Sequence, residues 1–183
     1  MTPAATAVTT EPIDAESQLQ GEAGKHQEEL RVWLRLLTCT NLIEGEIRSR
    51  LREHFNTTLP RFDLMAQLER SEDGIMLGEL SRRMMVSNGN ITGLVDRLVQ
   101  SGLIERRVSE TDRRAARVRL TDLGREQFAR MAAAHAEWMA ELFAQLDERD
   151  REILWLKLGS LKASVRAALA GSADQATNQN NQK

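Results

Sequence analysis

The sequence predicts a mainly α-helical protein that carries one small β-hairpin. Leu, Ala, Glu, Gln and Arg dominate a chain of 183 residues with only three prolines, a composition that favours helix. Apolar residues recur at helical spacing along most of residues 26–169. The segments 103–108 and 116–120 instead alternate apolar and charged side chains in the manner of strands. Hydrophobic residues make up 41% of the chain, which is enough for a packed core.

The residue inventory argues against a membrane protein, a secreted protein and an enzyme. No run of about 18 apolar residues occurs, and the N-terminus lacks the basic and apolar regions of a secretory signal. The single cysteine, Cys39, gives neither a disulfide framework nor a thiolate cluster. The three histidines lie far apart, and no GxSxG, GxxxxGK[ST] or CxxC motif occurs. We therefore expect a cytoplasmic protein that is not an enzyme and holds no cofactor or metal.

The net charge of −2 conceals a basic middle segment. Residues 76–125 contain ten arginines and six acidic residues, so this segment carries +4 and the remainder of the chain −6. Six of these arginines lie between Arg106 and Arg119, around an acidic turn at 110–112. Arg makes planar, bidentate contacts with phosphate or guanine, so the pattern favours a polyanionic partner. A solvated charged surface is the alternative explanation.

The two ends of the chain lack the helical periodicity that begins at residue 26. Residues 1–24 and 171–183 are polar and lack periodicity, so we expect a disordered arm and a disordered tail. The helical pattern from His26 to Phe55 would extend for roughly 45 Å at about 1.5 Å per residue. A helix of that length needs a partner along much of its surface.

Three shorter helical patterns follow. Pro60 is placed to begin a helix over 61–69, and a second pattern covers 76–84. In the third, Ser87 is the predicted N-cap and Gly102 the predicted C′ residue. The apolar positions of this third helix form one stripe, which comprises Ile91, Leu94, Val95, Leu98 and Val99.

A hairpin and two further helices complete the pattern. The two predicted strands enclose a loop that holds the acidic turn. Thr121 and Asp147 are the predicted N-caps of the last two helices, which cover 122–146 and 148–169. Two short helices joined by a tight turn and followed by a hairpin predict a winged helix-turn-helix, a DNA-binding lobe.

The third short helix has the length and the small polar face of a recognition helix. Its asparagines can read base edges, and Thr92 can contact a thymine methyl or a phosphate. Gly89 and Gly93 each lower helix propensity by about 1 kcal/mol relative to Ala, so we expect them to allow close approach to a duplex or to a packed helix. A helix whose polar face is simply solvated is the alternative. The predicted DNA-binding residues are Ser87, Asn88, Asn90, Thr92, Arg97, Arg113 and Arg114.

The segment LGELSRRMMVSNGNITGLVDRLVQSGLIERRVSETDRRAARVRLTDLGR resembles the MarR family of bacterial transcriptional regulators. The similarity rests on VDRL in the recognition helix, SGLIERR in the first strand and DRRAARVRLTDLG in the wing, and it extends over residues 26–169. The resemblance implies a homodimer. Residues 26–55 and 122–169 would form its helical dimerisation region, and residues 60–120 its DNA-binding lobe.

The resemblance also implies how the lobe would meet DNA. The recognition helix would enter the major groove, and the wing tip would reach the minor groove through Arg113 and Arg114. Asp112 would act as a structural brace of the wing through an ion pair with a neighbouring Arg. Two-fold symmetry implies a pseudo-palindromic operator, and repression is the family's commoner mode.

Members of the family often release DNA when a small molecule binds between the two regions. The stretch 38–41, Thr-Cys-Thr-Asn, fits a plain helical interface poorly, so its polar groups are candidates for lining a pocket, or for bonding to i−4 carbonyls or solvent. A finer resemblance, carried by RLLTCTNLIEGEIRSRLREHFNTTLPRFDLMAQL and RRMMVSNGNITGLVDRL, is to the branch that governs aromatic-acid catabolism. It implies an aromatic effector or an aryl-CoA thioester. The candidate ligand residues are Trp33, Thr38, Asn41, His54 and Phe62.

Two further hypotheses concern the cysteine and the class of protein. Some MarR proteins sense peroxide through a cysteine near the start of the first helix, supported by tyrosines. Cys39 lies in mid-helix and the chain has no Tyr, so we expect a buried structural thiol. The alternative to a DNA-binding regulator is a helical interaction or scaffold protein. The long helices would permit it, but the arginine-rich wing argues against it, because a scaffold does not need one.

Overall fold

A computed structural model of the chain describes residues 27–71, 73–107 and 117–180, with side chains as far as residue 171. The described residues up to Ala136 form one compact unit and those from Glu137 another. The elements are α1 (Gln27–Phe55), α2 (Leu59–Glu69), β1 (Ile75–Met76), α3 (Leu77–Met84), α4 (Asn88–Gln100), β2 (Ile104–Arg107), β3 (Arg117–Leu120), α5 (Asp122–Leu142) and α6 (Glu148–Asn180). The predicted fold class, mainly helical with a small antiparallel sheet, is confirmed.

The core of the first unit lies where α2, α3, α4 and the sheet meet. Each of these elements contributes apolar side chains from one face, at helical or strand spacing. In contrast, α1 buries only Ile47 and Leu51 near its C-terminal end. Most of α1 is therefore uncovered in the single chain. The largest of the side chains exposed by less than 2% are Leu51, Leu64, Met65, Leu68, Ile75, Leu80, Ile91, Val95, Leu98, Ile104, Leu120 and Met131.

The sheet has three antiparallel strands in the order β1-β3-β2. Ile75 pairs with Val118 in one ladder, and Ile104 pairs with Leu120 in the other. Val118 and Leu120 are buried whereas Arg117 is exposed, so β3 alternates as the sequence predicts. The strand β1 was not predicted, because two residues are too few to show alternation.

The start of α5 is fixed tightly against the end of α4. Thr121 donates its backbone N–H to the carbonyl of Leu103 at 3.0 Å, and its hydroxyl donates to the carbonyl of Gly102 at 2.7 Å. The same hydroxyl accepts the N–H of Gly124 at 3.0 Å, which confirms Thr121 as an N-cap. A Cβ on Gly124 would lie 1.9 Å from the carbonyl oxygen of Leu103, so only glycine fits this contact.

The second unit is dominated by α6, which differs from its predicted extent. Asp147 caps it as predicted, accepting the N–H of Asp150 at 2.7 Å. The helix continues to Asn180, so the prediction of a disordered tail from residue 171 was wrong as far as residue 180. Propagating an existing helix needs no new nucleus, and the segment contains no Pro. The predicted arm at 1–24 lies outside the described residues, as do residues 181–183.

The apolar side chains of α6 are uncovered in the single chain. Every residue from 148 to 171 is exposed. Large exposed apolar patches mark interaction surfaces. The exposed apolar residues of the helix are Ile153, Leu154, Trp155, Leu156, Leu158, Leu161, Val165 and Leu169.

Candidate nucleic-acid interface

A rigid turn joins α3 to α4. The buried hydroxyl of Ser81 donates to the carbonyl of Val86 at 2.6 Å, and Val86 returns its N–H to the carbonyl of Ser81 at 3.2 Å. Met85 sits between them in the left-handed region, with φ 55° and ψ 36°. Ser87 then caps α4 by accepting the N–H of Asn90 at 3.4 Å. The predicted N-cap is therefore confirmed.

The C-terminal end of α4 is closed by a Schellman motif. Gly102 has φ 70° and donates its N–H to the carbonyl of Val99 at 2.9 Å. Leu103 donates its N–H to the carbonyl of Leu98 at 3.1 Å. This pair of bonds defines the motif and confirms Gly102 as the C′ residue. The chain leaves the helix directly into β2, which sets the position of the wing relative to α4.

The two faces of α4 divide as the sequence predicts, with a narrower buried stripe. Ile91, Val95 and Leu98 are completely buried, whereas Leu94 is half-buried and Val99 is 37% exposed. The opposite face is polar and open to solvent. All five candidate residues of the turn and helix lie on this open surface, namely Ser87, Asn88, Asn90, Thr92 and Arg97.

Two of these side chains are partly occupied within the helix. The Thr92 hydroxyl donates to the carbonyl of Asn88 at 2.9 Å. Arg97 Nε donates to the carbonyl of Gly93 at 3.0 Å, which lays the side chain along the exposed surface of the helix. A Cβ on Gly89 would meet nothing within 4 Å in the described part of the chain. A packed helix in that part of the chain therefore does not explain this glycine.

The arginines on the wing strands are held by neighbours within the lobe. Arg106 on β2 donates to the carboxylate of Asp96 on α4. The carboxylate of Glu105 accepts from Arg119 on β3, and from Arg107 with the two atoms 3.3 Å apart. The hydrogen bond from Arg119 is the main reason that the pKa of Glu105 lies below its ordinary value. These bonds fix β2, β3 and α4 to one another.

Arg117 is held in a different way. Its Nη1 donates to the carbonyl of Gly74 at 2.9 Å, across the β1–β3 side of the sheet. The four strand arginines therefore have internal partners. For Arg117 and Arg119, the sequence left open whether they contact phosphate or are simply solvated. The wing-tip residues Asp112, Arg113 and Arg114 lie outside the described residues.

The five candidate ligand residues do not gather at one place in the chain. Trp33 is 57% exposed, and Asn41 and His54 are also exposed on α1. Trp33 and His54 are 21 positions apart on one continuous helix, roughly 30 Å at about 1.5 Å per residue. Thr38 lies half-buried between them.

Phe62 belongs to the core and not to a surface pocket. It is 7% exposed, and its ring centroid lies 5.0 Å from that of His135 and 5.5 Å from that of Phe128. Burial lowers the pKa of His135 from its ordinary value. The three rings tie α2 to α5 within the first unit.

Cys39 is exposed in the single chain. The prediction of a buried thiol was therefore wrong, because α1 is uncovered along that stretch. Residues 27–71, 73–107 and 117–180 contain no group of three or more His, Cys, Asp or Glu that could hold a metal ion. No helix in these ranges is long and apolar enough to cross a membrane.

A braced recognition helix with an open polar face, followed by a small hairpin, defines a winged helix-turn-helix of the DNA-binding class. Comparison with known proteins places the chain within that class. A model of the MarR family matches residues 57–116. A MarR family transcriptional regulator from Silicibacter pomeroyi is 31% identical with a TM-score of 0.67, over 79% of this chain and 99% of its own. The chain therefore belongs to the MarR family of DNA-binding transcriptional regulators, which are not enzymes.

Two further relatives illustrate the range of similarity. The transcriptional activatory protein BadR of Rhodopseudomonas palustris is 32% identical over 97 residues, 52% of this chain and 55% of BadR. The DNA complex of Staphylococcus aureus MepR shares the fold, with a TM-score of 0.62 at 19% identity over 72% of this chain and 94% of MepR.

Proposed function

We propose that this chain is a homodimeric transcriptional regulator, most simply a repressor, that binds a pseudo-palindromic operator and is released by a small effector. The observation that carries the DNA-binding part is the surface at the start of α4. Six consecutive residues, 85–90, are exposed there, while the opposite stripe of the helix is buried in the core. This is the end of a recognition helix that meets base edges in the major groove.

The chemistry of that surface suits a duplex. Asn side chains can donate and accept on the major-groove edge of adenine, and Ser or Thr can contact bases or phosphates. The N-terminal end of a helix also carries partial positive charge, which favours phosphate. Asn88 and Asn90 both lie in this first turn. They are therefore proposed as the base-reading residues, with Thr92 and Arg97 further along the same surface.

The wing contributes charge of a different kind. Since the strand arginines are bonded within the lobe, the contacts outside it fall to the tip. Arg113 and Arg114 are proposed to enter the minor groove, where a narrow groove has enhanced negative potential. Asp112 is proposed as their brace. This assignment rests on the sequence and on the family resemblance.

Dimerisation is supported by the uncovered apolar surface of α6. Leu154, Leu158, Leu161 and Val165 are spaced by four, three and four residues, the a/d spacing of a helical interface. They are exposed by 38%, 39%, 39% and 49% in the single chain. Fully burying such a side chain contributes about 1.5–3 kcal/mol, so a second copy has a large apolar area to cover.

The effector proposal rests on the sequence resemblance. We propose a small aromatic compound or an aryl-CoA thioester. The candidate residues on α1 are exposed, apart from the half-buried Thr38. A pocket that contains any of them would therefore need further residues from other elements or from the second copy. Calorimetric titration with free aromatic acids and with their CoA thioesters tests this class of effector. If neither series gives any heat of binding, the proposed class is excluded. BadR is named an activator. Whether the effector releases DNA and whether the protein represses or activates transcription are therefore measured separately.

The DNA-binding proposal is tested by gel shift against DNA upstream of the chain's own gene. The wild-type protein should bind saturably, and log Kd should rise linearly with log salt concentration. Arg113→Ala/Arg114→Ala should weaken binding and lower the salt slope by about one for each phosphate that the variant no longer neutralises. Arg149→Ala/Arg166→Ala removes the same charge from exposed positions on α6, and it should leave binding unchanged.

The outcomes separate the two parts of the proposal. Undiminished binding by the wing variant would refute the role of the wing tip. Absence of specific binding by the wild-type protein would favour a helical scaffold.

A further inference from the structure

Met85 combines two features that folding alone does not explain. Its side chain is 93% exposed, the largest exposure among the large hydrophobic residues of the described chain. Its backbone lies in the left-handed region, with φ 55°. Gly adopts this conformation without strain, whereas an L side chain is penalised there. A glycine would therefore suit the turn better, and the methionine makes the turn less stable than a glycine would.

The turn presents this side chain from a fixed backbone. Met85 donates its N–H to the carbonyl of Arg82 at 3.3 Å. On either side, the Ser81 hydroxyl and carbonyl bond to Val86, and Ser81 is only 8% exposed. Leu80, next to Ser81, is completely buried. The turn is thus anchored to the core, and the direction of Met85 follows from it.

We propose that Met85 is a specificity-determining residue that packs its side chain on the 5-methyl group of a thymine in each operator half-site. The inference rests on the proposed major-groove binding of α4. Met85 lies two residues before the N-cap Ser87 and opens the exposed run 85–90. The N-terminal end of a recognition helix meets base edges, and the thymine methyl is the apolar group of the major groove.

The surroundings favour DNA over a protein partner. Met85 follows Arg82 and Arg83, which are exposed on α3, and precedes the polar residues at the start of α4. Val86 beside it is 37% exposed, so the turn presents two apolar side chains, of which Met85 is much the more exposed. Their basic and polar setting suits a polyanion that displays methyl groups. The thioether has no hydrogen to donate to a phosphate, which leaves apolar contact as its chemistry. Its flexible, polarisable chain adapts to an irregular surface.

The experiment uses an operator selected from random duplex DNA by the wild-type full-length protein. Each thymine of one half-site is replaced in turn by deoxyuridine, which removes only the methyl group. One replacement should weaken wild-type binding by about fourfold, from the removal of one buried methyl. Against Met85→Gly the same replacement should change nothing, because that variant has no side chain to pack on the methyl.

Three controls separate this effect from a loss of folding. Met85→Gly should unfold at a higher denaturant concentration than wild type, since glycine relieves the left-handed backbone. Met85→Asn also removes the thioether, and asparagine is a second residue that tolerates this conformation. Val99→Ala shortens an exposed apolar residue at the other end of α4 and should preserve the full deoxyuridine effect.

The outcomes distinguish the inference from the proposal beneath it. Failure of the wild-type protein to select any sequence would overturn the DNA-binding proposal and this inference together. Selection of a clear operator whose deoxyuridine series is silent overturns the inference alone. A deoxyuridine effect of equal size in wild type and Met85→Gly does so as well.

Discussion

Arg106 on β2 donates a hydrogen bond to the carboxylate of Asp96 on α4, so an ion pair joins the wing to the recognition helix. The two side chains are 37% and 48% exposed. Pairs this exposed contribute only about 0–1 kcal/mol to stability. The value of the pair lies in its position, because it fixes the angle between the two elements that are proposed to enter adjacent grooves.

Breaking this pair should therefore affect DNA binding more than folding. Arg106→Gln should lower the free energy of unfolding by no more than about 1 kcal/mol, while operator affinity falls several-fold. The salt slope should stay unchanged, since Arg106 is occupied by Asp96 and is not assigned to a phosphate. Fluorescence anisotropy at several salt concentrations measures both affinity and slope. Asp96→Asn should give the same fall in affinity, and the double variant should lower the affinity little further. A smaller salt slope for Arg106→Gln than for wild type would mean that this arginine contacts DNA.

The sequence predicted those elements whose signals are local. Ser87, Thr121 and Asp147 were each predicted as N-caps, and each accepts the expected backbone N–H. Gly102 was predicted from the end of an apolar stripe and closes a Schellman motif. Caps and periodicity depend on residues a few positions apart, so one chain is enough to reveal them.

The features that the sequence did not reveal depend on distant residues. The partner of Arg117 is the carbonyl of Gly74, 43 positions away, and no pattern announces it. The positive φ of Met85 was missed because a left-handed position in a turn is usually occupied by glycine or asparagine, and here it is not. Phe62 was grouped with a pocket on chemical grounds, whereas its ring packs in the core against Phe128 and His135.

The contact between Gly124 and Leu103 should be intolerant of any side chain. A Cβ at Gly124 would lie 1.9 Å from the Leu103 carbonyl oxygen, so Gly124→Ala must displace the backbone. We expect a decrease of about 1–3 kcal/mol in the free energy of unfolding, as for an overpacked core site. Urea denaturation at fixed protein concentration measures it. Gly159→Ala in α6 is the matched control, because nothing lies within 4 Å of its Cβ position. Equal stability of Gly124→Ala and wild type would show that the backbone at this contact yields without cost.

Stability should depend on pH through His135. Burial holds its folded pKa below the ordinary value of 6.5, so below that pH the unfolded chain binds more protons than the folded one. Above the ordinary pKa, His135 is neutral in both states and costs no stability. As the pH falls below that pKa, the free energy of unfolding decreases, because the unfolded chain is protonated more readily than the folded one. Urea denaturation at about pH 7.5 and about pH 5.5 should show a larger loss for wild type than for His135→Phe. Phe keeps a ring against Phe62 without titrating, and parallel pH profiles would contradict this role.

The α6 surface should decide the oligomeric state. Leu158→Glu/Leu161→Glu places two carboxylates in the proposed apolar interface, where an unpaired charge is costly. We expect the variant to be monomeric in sedimentation velocity at concentrations where wild type is dimeric. Lys157→Glu/Lys162→Glu also introduces two carboxylates, at exposed positions of the same helix outside the proposed stripe, and it should remain dimeric although its net charge changes twice as much. A dimeric leucine variant would show that other residues form the interface.

Gly89 gives the most direct test of close approach to DNA, because stability and binding should move in opposite directions. Nothing in the described chain lies within 4 Å of its Cβ position, so Gly89→Ala should fit the folded protein without displacement. Alanine in place of glycine inside a helix stabilises it by roughly 0.5–1 kcal/mol, and urea denaturation should show this gain. Operator affinity should nevertheless fall about tenfold, since an added methyl at the first turn of α4 holds the helix away from the groove floor. If binding were unchanged while stability rose, the glycine would face solvent in the complex, and the first turn of α4 would lie outside the groove.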